Sequence, residues 1–264
     1  MDTLKQRQQQ TWATGDFSKI GVEIMIVGER LCDFVPLYAG DRVLDVATGS
    51  GNTALAAARR GCVVTGLDFV EALLERGRER AAAERVAINF QLGDAEELPF
   101  PDASFDVVLT TFGAMFAPDA VKTASELARV CRPGGKIGMA NWTPEGLPGQ
   151  MFKLNAKYLA PPPGIEPPVL WGIEDKVRQR FGALATDLKS EKHLALFRAL
   201  SATHWVEFMK AWFGPTIRTF AAISLEDQAK LQMDLVDLVS QANRADNGTL
   251  LCEAEYLQVV VSRA

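Results

Sequence analysis

Histidine is almost absent from this chain: its 264 residues contain two, His193 and His204. Neither stands at metal-ligand spacing from a second ligand, and the four cysteines (Cys32, Cys62, Cys131 and Cys252) include no C-x-x-C pair. These gaps exclude a zinc-type ligand set and a disulfide framework, and scattered single thiols fit a reducing, cytoplasmic setting. Long apolar runs are missing too. No stretch approaches the roughly 20 apolar residues of a bilayer-spanning helix, and the opening MDTLKQRQQQTW lacks the apolar centre of a signal peptide. Positive charge is the last shortage: 28 Lys and Arg face 33 Asp and Glu, a net charge of −5. Such a balance argues against a large polyanionic partner. The one basic-looking run, Arg76, Arg78 and Arg80, is interleaved with Glu71, Glu75, Glu79 and Glu84 and reads as a solvated helix face. The expectation is no nucleic acid, no membrane span and no bound metal, with a homodimer left open.

What the chain does have is an ordinary globular composition, 48% hydrophobic and 23% charged, enough to bury a core without staples. From Asp41 to Trp142, short β-branched runs alternate with alanine-rich helical stretches, the pattern of a doubly wound parallel sheet. Strands are expected at 42–47, 62–67, 87–92, 105–110 and 136–141. Helices are expected at 52–60, ended by Gly61; at 70–84; and at 119–131, capped by Asp119. Upstream, Ile20, Ile24, Val27, Leu31 and Phe34 recur at helical spacing and suggest one amphipathic lid helix over 17–37. Downstream, the Pro/Gly-rich stretch 143–164 reads as a loop. A helix at 171–181, a strand at 189–198, inserted helices at 205–212 and 225–242, and a last strand at 250–261 complete the chain. The organisation expected is N-terminal lid helices (1–40), a ligand-binding core (41–145), and a substrate-side loop, helical insert and last two strands of the same sheet (146–264).

The sharpest local signal is Val43-Leu44-Asp45-Val46-Ala47-Thr48-Gly49-Ser50-Gly51-Asn52-Thr53-Ala54: a buried strand, a glycine turn, then a helix. Glycine here lets backbone approach a ligand at a helix N-terminus. The stretch also satisfies the dinucleotide pattern G-x-G-x-x-A, so the loop alone fits a nicotinamide cofactor as well. Asp45 favours another ligand, because a carboxylate before the loop would face a pyrophosphate with the wrong charge but suits an ammonium and a sulfonium. Asp68 closes the second strand, where its two oxygens can accept both hydroxyls of a ribose. Asp94, in the acidic turn Gly93-Asp94-Ala95-Glu96-Glu97, can accept from an adenine amino group.

Five segments together, Asp45 to Asn52, Gly66-Leu67-Asp68, Gly93 to Phe100, Ser104 to Val108 and Arg132 to Lys136, resemble in order and spacing the class I S-adenosylmethionine-dependent methyltransferases. The similarity is greatest to the branch that contains the ubiquinone/menaquinone C-methyltransferases (methyltransferase type 11), and it covers roughly residues 40–145. The resemblance implies a Rossmann-like α/β fold, doubly wound, with a seven-stranded sheet whose last strand is antiparallel, and S-adenosyl-L-methionine across the C-terminal strand edges. It further implies that Ala47, Gly49 and Gly51 approach the methionine part with Asp45 supporting its ammonium, that Asp68 holds the ribose, and that Asp94 takes the adenine amino group. Phe69 and Ala95 would pack on the base, and Thr111 and Phe112 would sit beside the transferred methyl. Two positions depart from the commonest loop: Ala47 replaces its first glycine and Asn52 its last.

The chemistry implied is methyl transfer to a small-molecule acceptor by in-line displacement, in which alignment and desolvation carry most of the catalysis. No Asn-Pro-Pro-Tyr type motif follows the fourth strand, where Thr111-Phe112-Gly113-Ala114-Met115-Phe116 stands, which argues against amide or adenine N-methylation. If the acceptor needs a base, His204 is the candidate, with His193 second. Trp12 is a candidate to close over the ligand. Phe116, Trp142, Phe152, Tyr158 and Trp171 form an aromatic set that either lines an apolar pocket or fills the core. Two other readings stay open: an NAD(P)-dependent oxidoreductase, for which no Tyr-x-x-x-Lys is present, and a non-catalytic nucleoside-binding scaffold.

Overall fold

The computed structural model describes residues 3–264. Seven strands, β1 (Arg42–Val46), β2 (Val63–Asp68), β3 (Ile88–Leu92), β4 (Phe105–Thr111), β5 (Cys131–Trp142), β6 (Ala185–Ala199) and β7 (Leu250–Arg263), form one sheet in the order β3-β2-β1-β4-β5-β7-β6. Strands β1 to β5 pair in parallel, and β7 runs antiparallel to both β5 and β6. Val43, Leu44 and Val46 of β1 are fully buried, as are Val108 and Leu109 of β4. Burial on both faces explains why these strands read as continuous apolar runs rather than alternating ones. The strand order reverses between β1 and β4, so a crevice opens where their C-terminal ends diverge.

Eleven α-helices surround the sheet among the described residues: α1 (Thr3–Ala13), α2 (Phe17–Gly21), α3 (Met25–Phe34), α4 (Asn52–Arg59), α5 (Glu71–Glu84), α6 (Ala120–Val130), α7 (Leu147–Tyr158), α8 (Glu174–Phe181), α9 (Ala202–Trp212), α10 (Gly214–Ala222) and α11 (Leu225–Gln241). Local signals act where expected. The Asp119 side chain accepts from the Lys122 amide at 2.9 Å and starts α6. Gly61, at φ +82°, takes up the left-handed backbone that follows α4.

Four segments differ from expectation, each for a visible reason. The helix expected over 17–37 is broken into α2, a 3-10 turn (Val22–Ile24) and α3, because the Asn52 side chain donates to the Gly21 carbonyl at 2.9 Å and takes that oxygen out of a helical ladder. The expected loop 143–164 contains α7. Pro148 stands in its first turn, where the missing amide hydrogen costs nothing. The helix expected from residue 171 begins at Glu174, after a 3-10 turn at Pro168–Gly172. There Gly172 lies so close to the Trp142 carbonyl that a Cβ would stand 2.1 Å from it. Finally, α10 has no counterpart among the expected helices; its Gly214 is packed against the Thr11 carbonyl, which joins it to α1. Within the 1–40 segment expected as lid helices, residues 1 and 2 lie outside the described residues.

Candidate active site

A cavity partly open to solvent lies at the strand-order reversal. It brings together Asp45, Ala47 and Gly49 from the end of β1, Asp68 and Phe69 from the end of β2, and Asp94 and Ala95 from the turn after β3. Thr111 and Phe112 reach it from the end of β4, and Trp12 covers it from α1. Two of the residues expected from the sequence are not among its walls. Gly51 stands behind the loop at φ +85°, against the Phe90 ring, where an added Cβ would come within 3.1 Å. There it turns the chain into α4 as its N-cap residue. His204 is exposed on the first turn of α9, its backbone amide held by Ser201 Oγ, and lies outside the walls of this cavity and of the second one described below. His193 sits on β6 beside Tyr256, also outside the cavity walls.

The glycine turn is held by two buried carboxylates. Asp45, 1% exposed, accepts through Oδ2 from Thr48 Oγ1 at 2.5 Å and from the Ala54 amide at 2.9 Å. Its Oδ1 has no hydrogen-bond partner among the described residues, although the residue borders the cavity. Asp68, 5% exposed, accepts from the Gly49 amide at 2.8 Å through Oδ2 and from the Val70 amide at 2.9 Å through Oδ1. Burial dominates both: desolvation pushes Asp45 up to about 7 against the pull of its hydrogen bonds, and Asp68 up to about 6 in the same way. Each Asp68 oxygen retains one lone pair for a ligand, whereas Asp45 Oδ2 is fully engaged and leaves only Oδ1.

Backbone strain gathers in the same place. Ala47 has φ +54° and Phe112 φ +58°, left-handed conformations that L side chains avoid. At Ala47 this is the conformation that a glycine would adopt freely, which gives the departure from the commoner loop a physical meaning. Gly113 lies against it so tightly that a Cβ would stand 2.5 Å from the Ala47 Cβ and carbonyl oxygen. Phe112 stacks on Trp142 with ring centroids 3.7 Å apart and planes at 4°.

Three features of the site take their detailed form only from the fold. Helix α1 straps the cavity: Lys5 pairs with Asp94 Oδ2 at 2.5 Å and Glu96 Oε2 at 2.7 Å, and Gln9 donates to the Phe69 carbonyl at 2.6 Å. Burial opposes the Lys5 ammonium, but the hydrogen bonds and charges of Asp94 and Glu96 outweigh it and hold the group above its usual range. A run of Gln and Lys has no apolar periodicity to announce such a lid. Arg80 is the second feature. Expected on a solvated face, it is half-buried and donates to the Ser50 carbonyl and Asn52 Oδ1, both at 2.7 Å, clamping the loop from α5. Its neighbours Arg76 and Arg78 do pair with Glu79, Glu71 and Glu75 at the surface. The third is a second cavity that shares walls with the first. Of the aromatic set read from the sequence, Phe116, Trp142 and Phe152 line it, whereas Trp171 is core and Tyr158 hydrogen-bonds Asp234.

A sheet with this strand order, a glycine turn held by buried carboxylates and a cavity at the reversal define a nucleoside-binding α/β enzyme fold. Comparison with known proteins narrows it. A family described as a methyltransferase domain matches residues 44–139. The chain is 39% identical over 235 residues to uncharacterized protein Rv1403c of Mycobacterium tuberculosis (strain ATCC 25618 / H37Rv), spanning 87% of this chain and 86% of that one. It is 40% identical over 124 residues to the demethylmenaquinone methyltransferase of Deinococcus radiodurans, spanning 46% of this chain and 52% of that protein. Among solved structures, YcgJ of Bacillus subtilis superposes with a TM-score of 0.60 at 20% identity, covering 90% of this chain and 98% of that one. The chain belongs to the class I S-adenosylmethionine-dependent methyltransferases.

Proposed function

We propose that the enzyme methylates a small-molecule acceptor, with S-adenosylmethionine in the larger cavity and the acceptor entering beside Phe112. The observation that carries the reading is the buried Asp45: an unpartnered carboxylate oxygen at the cavity wall, beside an open glycine turn, fits an ammonium-bearing ligand and disfavours a pyrophosphate. When bound, the cofactor supplies an already activated methyl group. The chain's part is then to hold, align and exclude water. Asp45 would hold the ammonium and Asp68 would offer its free lone pairs to the ribose hydroxyls. Asp94 would share its lone pairs between Lys5 and the adenine amino group, with Phe69 and Ala95 against the base. Trp12, with Phe116 at 4.8 Å and Phe213 at 5.8 Å between ring centroids, would close the site to solvent.

The net negative charge supports an acceptor other than nucleic acid. Among the described residues no helix is long and apolar enough to cross a membrane, and all four cysteines are buried and unpaired. The thiols support a cytoplasmic site of action.

The test is calorimetric titration with adenosylhomocysteine and NADH in parallel, on wild type and Asp68→Asn, with thermal melts to check folding. Adenosylhomocysteine alone should bind, and at least about tenfold more weakly to the variant, the loss of one charge-assisted bond. NADH binding alone would overturn the assignment, and binding of neither would overturn every nucleoside-binding reading of the cavity, the scaffold included.

A further inference from the structure

Strand β6 is a free edge of the sheet. It runs for 15 residues and pairs with β7 alone among the described residues. An antiparallel ladder turns every second residue's amide and carbonyl away from the partner strand. On β6 these are the even-numbered residues: Arg178 reaches the Leu188 carbonyl at 3.0 Å and Arg30 the Leu194 carbonyl at 2.8 Å, both from outside the ladder. Among the described residues, no group accepts from the outward amides of Leu188, Ser190, Lys192 and Leu194. Of residues 186–194 only Leu188 is buried, and Leu194 is 41% exposed.

A long open edge invites pairing, and proteins commonly defend one with charge. Here the charges suit a second copy of the same strand. If β6 pairs antiparallel with itself about a two-fold axis at Ser190, Lys189 of each copy stands opposite Glu191 of the other, and Asp187 opposite His193. These odd-numbered residues form the pairs without mutual hydrogen bonds, where side chains approach most closely. Within its own chain Lys189 has no ion-pair partner among the described residues, and Glu191 has only the His193 imidazole, at 3.4 Å. The even residues supply the new ladder, Ser190 with Ser190 and Leu188 with Lys192. The arginines at Leu188 and Leu194 leave each carbonyl oxygen a second lone pair for it. Moving the axis by one residue in either direction sets Lys189 against Lys189 or Glu191 against Glu191, so charge selects this register.

We propose that β6 is the interface of a two-fold homodimer, in which two copies pair edge to edge about Ser190 and join their sheets into one. The inference is independent of the methyltransferase reading, because β5 and β7 separate this edge from the strand-order reversal.

Sedimentation velocity of the full chain across micromolar concentrations tests it, on wild type, Lys189→Glu, Glu191→Lys, both exchanges together, and Ser190→Pro, with thermal melts to check folding. Wild type should sediment as a dimer. Each single exchange turns two attractive pairs per dimer into two repulsive ones and should raise the dissociation constant by about tenfold or more. The double exchange restores both pairs with their signs reversed and should return the constant to within about threefold of wild type. Ser190→Pro removes the amide that each copy donates at the axis while sparing the ladder to β7, and should keep the protein monomeric. A monomeric wild type would overturn the inference, whatever else the edge then binds. So would a dimer indifferent to the single exchanges, or one that the double exchange fails to restore. If the proline variant does not fold, the charge exchanges decide alone.

Discussion

Ligand binding at Asp45 should release a proton, and the size of the effect follows from the burial of that carboxyl. In the free protein Asp45 titrates near 7 because desolvation outweighs its two hydrogen bonds. About one molecule in ten therefore carries the carboxylate at pH 6 and about nine in ten at pH 8. If the ligand's ammonium binds only the ionised form, apparent affinity for adenosylhomocysteine rises about tenfold between those pH values, with nearly one proton released per molecule bound at pH 6. Calorimetry in buffers of different ionisation enthalpy counts that proton directly. Asp45→Asn keeps the shape but cannot titrate. Its binding should be flat with pH and weaker than wild type at pH 8 by about 1.5–3 kcal/mol, the value of a charge-assisted hydrogen bond. The sign for stability runs the other way in the unliganded protein. Asp45 and Asp68 both hold protons more tightly folded than unfolded, so their contribution is full below the ordinary carboxylate range and is lost as pH rises through about 6 and about 7. Zero proton release at pH 6, or an unchanged pH profile in Asp45→Asn, would refute the role given to this carboxyl.

Arg80→Ala removes the clamp on Ser50 and Asn52; a loss of about 1.5–3 kcal/mol in chemical denaturation is expected, with weakened adenosylhomocysteine binding, and a change below about 0.5 kcal/mol would mean the loop stands without it. Gly113→Ala drives a methyl into Ala47 and should destabilise by about 1–3 kcal/mol, read as a lowered melting temperature. The thiols should be inert in the native state, since burial pushes Cys131 up to about 11 and Cys32 higher still; a chromogenic disulfide at pH 8 should label all four only after unfolding, and rapid native labelling would contradict their packing.

The parallel core was legible because its signals are local. Val43 to Val46 is a short apolar run ending at a glycine turn, and a strand, a turn and a helix N-terminus each have their own residue chemistry within a few positions. The acidic ends of β1 and β2 could be read for the same reason: a carboxylate beside a glycine turn is a short-range pattern. Arg80 could not be separated from Arg76 and Arg78 along the chain, since the helix phase that turns it onto Ser50 depends on how α5 lies against the loop. Proline and glycine near Pro148 misled, because a residue that breaks a helix inside also begins one well.

The amino-acid sequence alone determined the sheet's central half, the glycine turn and the three carboxylates around it, all of which depend on neighbours close in the chain. Tertiary structure alone decided which groups the lid ties down and which aromatic side chains meet around the second cavity. Lys5 meets Asp94 across 89 positions, and Trp12, Phe112, Trp142 and Phe213 converge from four separate elements. Of these four, Trp12 lies in α1 and Trp142 in β5, while Phe112 follows β4 and Phe213 joins α9 to α10; no periodicity records such meetings, because they are fixed by the path of the chain over the sheet and not by the residues beside them.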